Sequence, residues 1–143
     1  MGTQQILMII LSVIVVGSAV AVGIQMFDTQ ADNQARAALS AELLQQGAQA
    51  QAYYRTPKMM GGGGNGNNPD IGNKEIARYI DRKANDDGTW DNMVGDFELT
   101  YNATGTEDNG PQVTIVGKAA SDPTITLTVK VPLKGNASGI TME

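Results

Sequence analysis

Ile6–Phe27 reads ILMIILSVIVVGSAVAVGIQMF, and Asp28–Tyr54 continues it as DTQADNQARAALSAELLQQGAQAQAYY. The first stretch has only Ser12, Ser18 and Gln25 as polar members, and no charged side chain precedes Asp28. As a helix rising ~1.5 Å per residue, it crosses the ~30 Å hydrocarbon core of a bilayer. The second stretch contains no turn signal and is rich in Ala, Gln and Leu, which are good helix formers. Apolar residues recur in it at helical spacing, at Phe27, Ala31, Ala35, Ala38 or Leu39, and Leu43. Asp32 and Arg36 form an i,i+4 pair that supports a helix by ~0.2–0.5 kcal/mol. Pro57 disfavours helix in the residue before it, so the helix should end near Arg55–Thr56. The expectation is one helix of about 50 residues, ~75 Å long. Its first half would lie in an apolar medium and its second half, as an Ala-rich stripe, against a folded head.

Three readings of the apolar half compete. A cleaved secretory signal would begin with Lys or Arg and carry a shorter apolar core than this one. A permanent membrane anchor would hold an outside domain in place. A segment that starts in the membrane and later forms the core of a polymer is the third. The third is favoured by a segment flush with the N-terminus and by small residues in small-xxx-small pairs, Gly17 with Ala21 and Ala19 with Gly23. Glycine weakens a helix by ~1 kcal/mol per site relative to Ala, so Gly17–Ser18 and Gly23 are where it should yield on leaving lipid. Gly is also simply common in membrane helices.

The composition excludes much. The chain of 143 residues has neither Cys nor His. That removes disulfides, thiolate metal sites, a Cys nucleophile, the usual general base and the commonest metal ligand. The net charge of −5 argues against nucleic acid as a partner. No nucleophile–base pair is visible, so no enzymatic activity, cofactor or metal is expected.

After the helix comes MMGGGGNGNNPDIGN from Met59 to Asn73. The Gly61–Gly64 run cannot hold a regular element cheaply. A phosphate-binding loop would need GxxxxGK[ST] after a strand, and both the Lys and the strand are missing. Two readings remain: a linking loop, flexible or closely packed, and a loop pressed against a neighbouring subunit where side chains would not fit. Lys74–Asn85 then predicts a short helix with Ile76, Tyr79 and Ile80 on one face, and DDGTW predicts a turn. Three period-2 segments follow. Asp96–Asn102 alternates Phe97, Leu99 and Tyr101. Gln112–Lys118 alternates Val113, Ile115 and Gly117. Thr124–Leu133 alternates Ile125, Leu127, Val129, Val131 and Leu133. These predict a three- or four-stranded antiparallel meander with one face to bury, and the amphipathic half-helix is the obvious cover. Pro132 predicts a sheet edge or a strand end.

Other motifs carry less. Asn85–Asn92 gathers oxygen ligands, but its spacing departs from the D-x-[DN]-x-[DN]-G calcium loop, and a turn is the better reading. Asn102 and Asn136 begin triplets that match the N-glycosylation acceptor. Phe27, Tyr53, Tyr54 and Trp90 are better explained by core packing than as an electron path.

An N-terminal hydrophobic helix that becomes amphipathic, then a loop, then an antiparallel sheet resembles the type IV pilin superfamily. The resemblance is strongest over Met1–Tyr54 and architectural beyond it. It implies an α+β, pilin-like fold: 1–27 as a transmembrane and filament-core half-helix, 28–55 as an amphipathic half-helix, 56–73 as a loop and 74–143 as the head. In that family a peptidase removes a short basic leader, the new N-terminus is often methylated and the fifth mature residue is typically Glu. With Met1 as the first mature residue, the fifth is Gln5, which keeps the size and hydrogen bonding but not the charge that would neutralise a neighbour's terminal amine. No basic leader is visible, so either Met1 opens an already processed chain or it is the initiator of a leaderless member.

The expected function is structural: the subunit of a type IV pilus-like extracellular filament, a helical homo-oligomer. It would be held in the inner membrane before assembly, with an assembly ATPase and platform protein as partners implied by the resemblance. The expected assembly residues are Met1, Gln5, Ile6, Leu7, Ile10, Leu11, Ile14, Gly17, Val20, Gly23, Ile24 and Phe27. The alternatives are a pseudopilin or minor pilin of a secretion or DNA-uptake machine, and a membrane-anchored binding module. The loop around Thr104–Asn109 is expected to face solvent.

Overall fold

Helix formers without an internal proline give one uninterrupted helix, α1, from Gly2 to Arg55. This is seen in a computed structural model that describes residues 2–66, 68–104, 110–134 and 141–142. The helix ends where Pro57 requires it. The Thr56 N–H still donates to the Ala52 carbonyl at 3.0 Å, and the chain then turns through Lys58–Met60.

The glycine run caps this end. Gly63 N–H donates to the Tyr53 carbonyl at 2.8 Å and Gly64 N–H to the Thr56 carbonyl at 2.9 Å, satisfying acceptors that a helix terminus leaves open. A Cβ at Gly62 would stand 2.4 Å from the Thr56 carbonyl oxygen, and one at Gly63 3.1 Å from the Tyr54 Cα. The side chains that do not fit are therefore excluded by the chain's own helix end. That fits the closely packed linking loop, one of the two readings the sequence allowed at Gly62 and Gly63.

The chain divides into two compact units, Met1–Gln34 and Ala35–Glu143. In the second, Ala35 is partly buried and Leu39, Leu43, Gln46, Gly47, Ala50, Tyr53 and Tyr54 are buried. The expected stripe thus begins to bury at Ala35. Phe27 and Ala31, which the periodicity included, are exposed. Periodicity alone does not say where the partner sheet stops.

Helix α2 spans Asn73–Ile80 and buries Ile76 and Ala77. It stops short of the expected Asn85 because Asp81 is extended. Its Oδ1 accepts the Lys83 N–H at 2.9 Å, the local side-chain bond that favours a turn over a helix. The strands are β1 (Thr89–Asp91), β2 (Gly95–Asn102), β3 (Gln112–Ala119), β4 (Thr126–Pro132) and β5 (Thr141–Met142). Together they form an antiparallel sheet in the order β1-β2-β3-β4-β5 among the described residues. The fold is α+β, as expected from the sequence. β1 was hidden in a segment that reads as a turn, although Trp90 pairs with Phe97 and their rings stack at 5.7 Å. Pro132 ends β4.

One sheet face points to the helix. Phe97, Leu99, Val113, Ile115, Val129 and Val131 are all buried in a single core with Leu39, Leu43 and Ala50 of α1. The period-2 pattern puts alternate residues there, and the other face carries Glu98, Thr114, Lys118 and Thr128. Gly117 makes room for a helix side chain: a Cβ would stand 3.0 Å from Leu39 Cδ1 and from Phe97 Cε1.

Candidate assembly surface

The first compact unit is helix alone. An α-helix that is apolar on all sides is normally found covered, by lipid or by protein. Here Ile6, Leu7, Ile10, Leu11, Ile14, Val20, Ile24 and Phe27 are all exposed, from 51% at Ile10 to 74% at Phe27. The most apolar 18-residue window of α1 has a mean hydropathy of 2.8 and none of it is buried. By length and composition this helix could cross and anchor in a membrane.

The polar side chains in the segment are satisfied locally. Ser12 Oγ donates to the Met8 carbonyl at 2.8 Å, Ser18 Oγ to that of Val15 at 2.9 Å and Thr29 Oγ1 to that of Gln25 at 2.9 Å. Such bonds remove most of the penalty for placing a hydroxyl in an apolar medium. Gln5 lies in the first turn and lines a shallow groove with Gln4, Met8 and Ile9. Met1 lies outside the described residues. Gly17 and Gly23 differ from Gly47 and Gly117 of the head: among the described residues outside the helix's own turns, a Cβ at either would meet nothing within 4 Å. Asp28–Gln34 follows as an exposed polar stretch.

In the head, Asn102 is exposed, and its Oδ1 accepts the Thr104 N–H at 3.0 Å and Oγ1 at 3.2 Å. Asn136 and residues 105–109 lie outside the described residues. The Asn85–Thr89 oxygens serve a turn. Asp87 Oδ1 accepts the Thr89 N–H and Oγ1, Gly88 takes φ +89°, and Asp86 pairs with Lys74 at 3.1 Å and Arg78 at 2.6 Å. Among the described residues no group of three or more acidic side chains is placed to hold a metal ion. A cleft of about 340 Å³ opens beside β1–β3, lined by Asn85, Thr89, Asp91, Asp96, Glu98 and Lys118 among others.

The hydroxyl and backbone N–H of Thr89 hold the Asp87 carboxyl below its ordinary range, and those of Thr124 do the same for Asp122. Burial pushes the phenols of Tyr53, Tyr54 and Tyr101 above theirs, with Glu75 adding to the effect at Tyr53 and Tyr54 at Tyr101.

Two features of the head escaped the sequence reading. Glu42 Oε1 accepts from both Gln46 Nε2 at 3.2 Å and Asn92 Nδ2 at 3.1 Å, tying the β1–β2 turn to α1. Met59, Met60 and Met93 stand in solvent on tight turns. The only available signal was an apolar residue sitting among turn formers, as in Pro57–Gly61 and Asp91–Gly95.

Set against models of known protein families, curated proteins and solved structures, the chain matches none. Its arrangement, a long N-terminal helix packed on a small antiparallel sheet, is pilin-like.

Proposed function

We propose that this chain is the repeating subunit of a type IV pilus-like extracellular filament. The apolar part of α1 holds the subunit in the inner membrane before assembly and packs against its equivalents afterwards. One observation carries the reading: Ile6–Phe27 is a helix, apolar all round, with every large side chain exposed. Such a surface needs a partner.

Lipid already satisfies the hydrophobic effect, so polymerisation must gain from close helix packing and from contacts between heads. Gly17 and Gly23 fit that requirement. Each weakens the helix by ~1 kcal/mol relative to Ala, and among the described residues outside the helix's own turns nothing calls for the missing side chain. Close approach of a second helix does. The small-xxx-small pairs of Gly17 with Ala21 and Ala19 with Gly23 place two such openings in the apolar segment. Extraction of an apolar helix from lipid needs external work, which in the family it resembles comes from an assembly ATPase and platform protein.

The test is substitution in the apolar helix. Leu11→Asp or Ile14→Asp is expected to abolish filaments while the head stays folded. Each places a carboxylate where only apolar neighbours are available. Normal filaments from either variant would contradict the proposal.

A further inference from the structure

Two turns of the head drive methionine side chains into solvent. Met59 is 100% exposed, Met60 79% and Met93 99%. Neither turn is slack. In the first, the Met60 N–H donates to the Pro57 carbonyl at 2.9 Å and the Gly61 N–H to the Lys58 carbonyl at 3.0 Å. In the second, Asn92 Oδ1 accepts the Val94 N–H at 2.8 Å and the Gly95 N–H at 3.2 Å, while Asn92 Nδ2 reaches Glu42. An apolar side chain presented on a rigid turn loses little entropy when a partner covers it.

The turns belong to different ends of the head. The Met93 turn is tied to Glu42, early in the buried part of α1, and the Met59–Met60 turn follows Arg55. About 13 helical residues separate Glu42 from Arg55, which is ~20 Å. Their charges are opposite. Exposed Arg55 and Lys58 precede Met59, with no acid from 55 to 69; Asp70 and Glu75, the latter near Tyr53, follow. Exposed Asp91 and Asp96 flank Met93 with Glu42 behind them; Lys118, opposite Asp96 in the sheet, and Arg36, near Asp122, only partly offset these acids.

We infer that these turns are the two halves of one head-to-tail contact between copies of this chain. The basic Met59–Met60 end of one head seats on the acidic Met93 end of the next. Two unlike, complementary surfaces on one body make a heterologous contact, which propagates along a helix or filament. Methionine suits such a joint because its flexible thioether conforms to irregular surfaces. The charges set partner and register. This inference rests on the polymer reading and specifies how the heads meet within it.

The chain has no Cys of its own, so introduced thiols are unique. Met59→Cys and Met93→Cys are made singly and together in the full chain. Sheared filaments are treated with a short bis-maleimide and run on a denaturing gel. The double variant is expected to give a ladder well beyond dimer, and each single variant to remain monomeric. Filaments whose double variant stays monomeric, or a single variant that cross-links to dimers, overturn the contact and leave the polymer reading standing. Absence of filaments from the unsubstituted chain overturns both. A second series guards against local damage by the thiols. Lys58→Asp and Asp91→Lys are each expected to lower filament yield by about tenfold, and the combination to restore it. Yields unchanged by the single variants, or a combination no better than they are, contradict the contact.

Discussion

Gly47 of α1 lies against Val131 of β4 so closely that a Cβ at position 47 would stand 2.9 Å from Val131 Cγ2. Val131 is fully buried and, being β-branched, has little rotamer freedom with which to retreat. The helix therefore meets the sheet at glycine. Gly47→Leu is expected to destabilise the head by ~1–3 kcal/mol through overpacking, read from urea denaturation. An unchanged midpoint would mean that the helix does not approach the sheet this closely.

Gly17 and Gly23 give the opposite expectation, because among the described residues outside the helix's own turns nothing lies within 4 Å of the place a Cβ would occupy. Gly17→Leu and Gly23→Leu should leave the thermal midpoint of the head unchanged and reduce the number of filaments per cell in electron micrographs. On the proposed function the same residue type serves two roles, and stability and assembly measurements separate them. Loss of head stability in either variant would refute that separation.

The long helix and the meander were legible because their signals are periodic. The uncharged run before Asp28, the proline at 57 and the alternation through Val113, Val129 and Val131 each point to one element. What stayed hidden depends on contacts distant in sequence. The start of burial at Ala35 is set by where the sheet ends. Trp90 became a strand residue only because Phe97 pairs with it. Gly62 and Gly63 read equally as a flexible or a closely packed loop, and it is the end of α1 that leaves them no room for side chains. Of the candidate assembly surface, the apolar character was readable throughout. The methionine turns were not, since short apolar residues among turn formers carry no periodicity.

Gln46 is 2% exposed, and its Oε1 has no hydrogen-bond partner among the described residues, while its Nε2 is held by Glu42. A buried unpaired acceptor costs ~1–3 kcal/mol. Gln46→Met, similar in volume and in helix propensity, is expected to raise stability by about 1 kcal/mol in denaturant titration. Glu42→Ala should lower it by a similar amount, because both Gln46 Nε2 and Asn92 Nδ2 lose their acceptor. Equal effects of the same sign from the two variants would contradict this reading.

Stability should fall at both extremes of pH. Asp87 and Asp122 are held below the ordinary carboxylate value of 3.8, so their contribution is complete above it and is lost as pH falls through the lowered folded values. Tyr53, Tyr54 and Tyr101 are raised above 10.0. Their contribution is complete below that value and is lost as pH rises through the raised ones. Melting temperature against pH should show a plateau between these limits. Asp122→Ala should flatten the acid limb, because the Thr124 N–H and Oγ1 then have no carboxylate to lose. An acid limb as steep as that of the unsubstituted protein would contradict the assignment.

Polymerisation driven by α1, as proposed, is tested by negative-stain electron microscopy of material sheared from cells, with mass spectrometry of the same fraction. Thin filaments made mainly of this chain are the expected result, and the intact mass of the N-terminal peptide reports its processing. A sheared fraction without filaments, with the chain recovered only from the membrane, would contradict it.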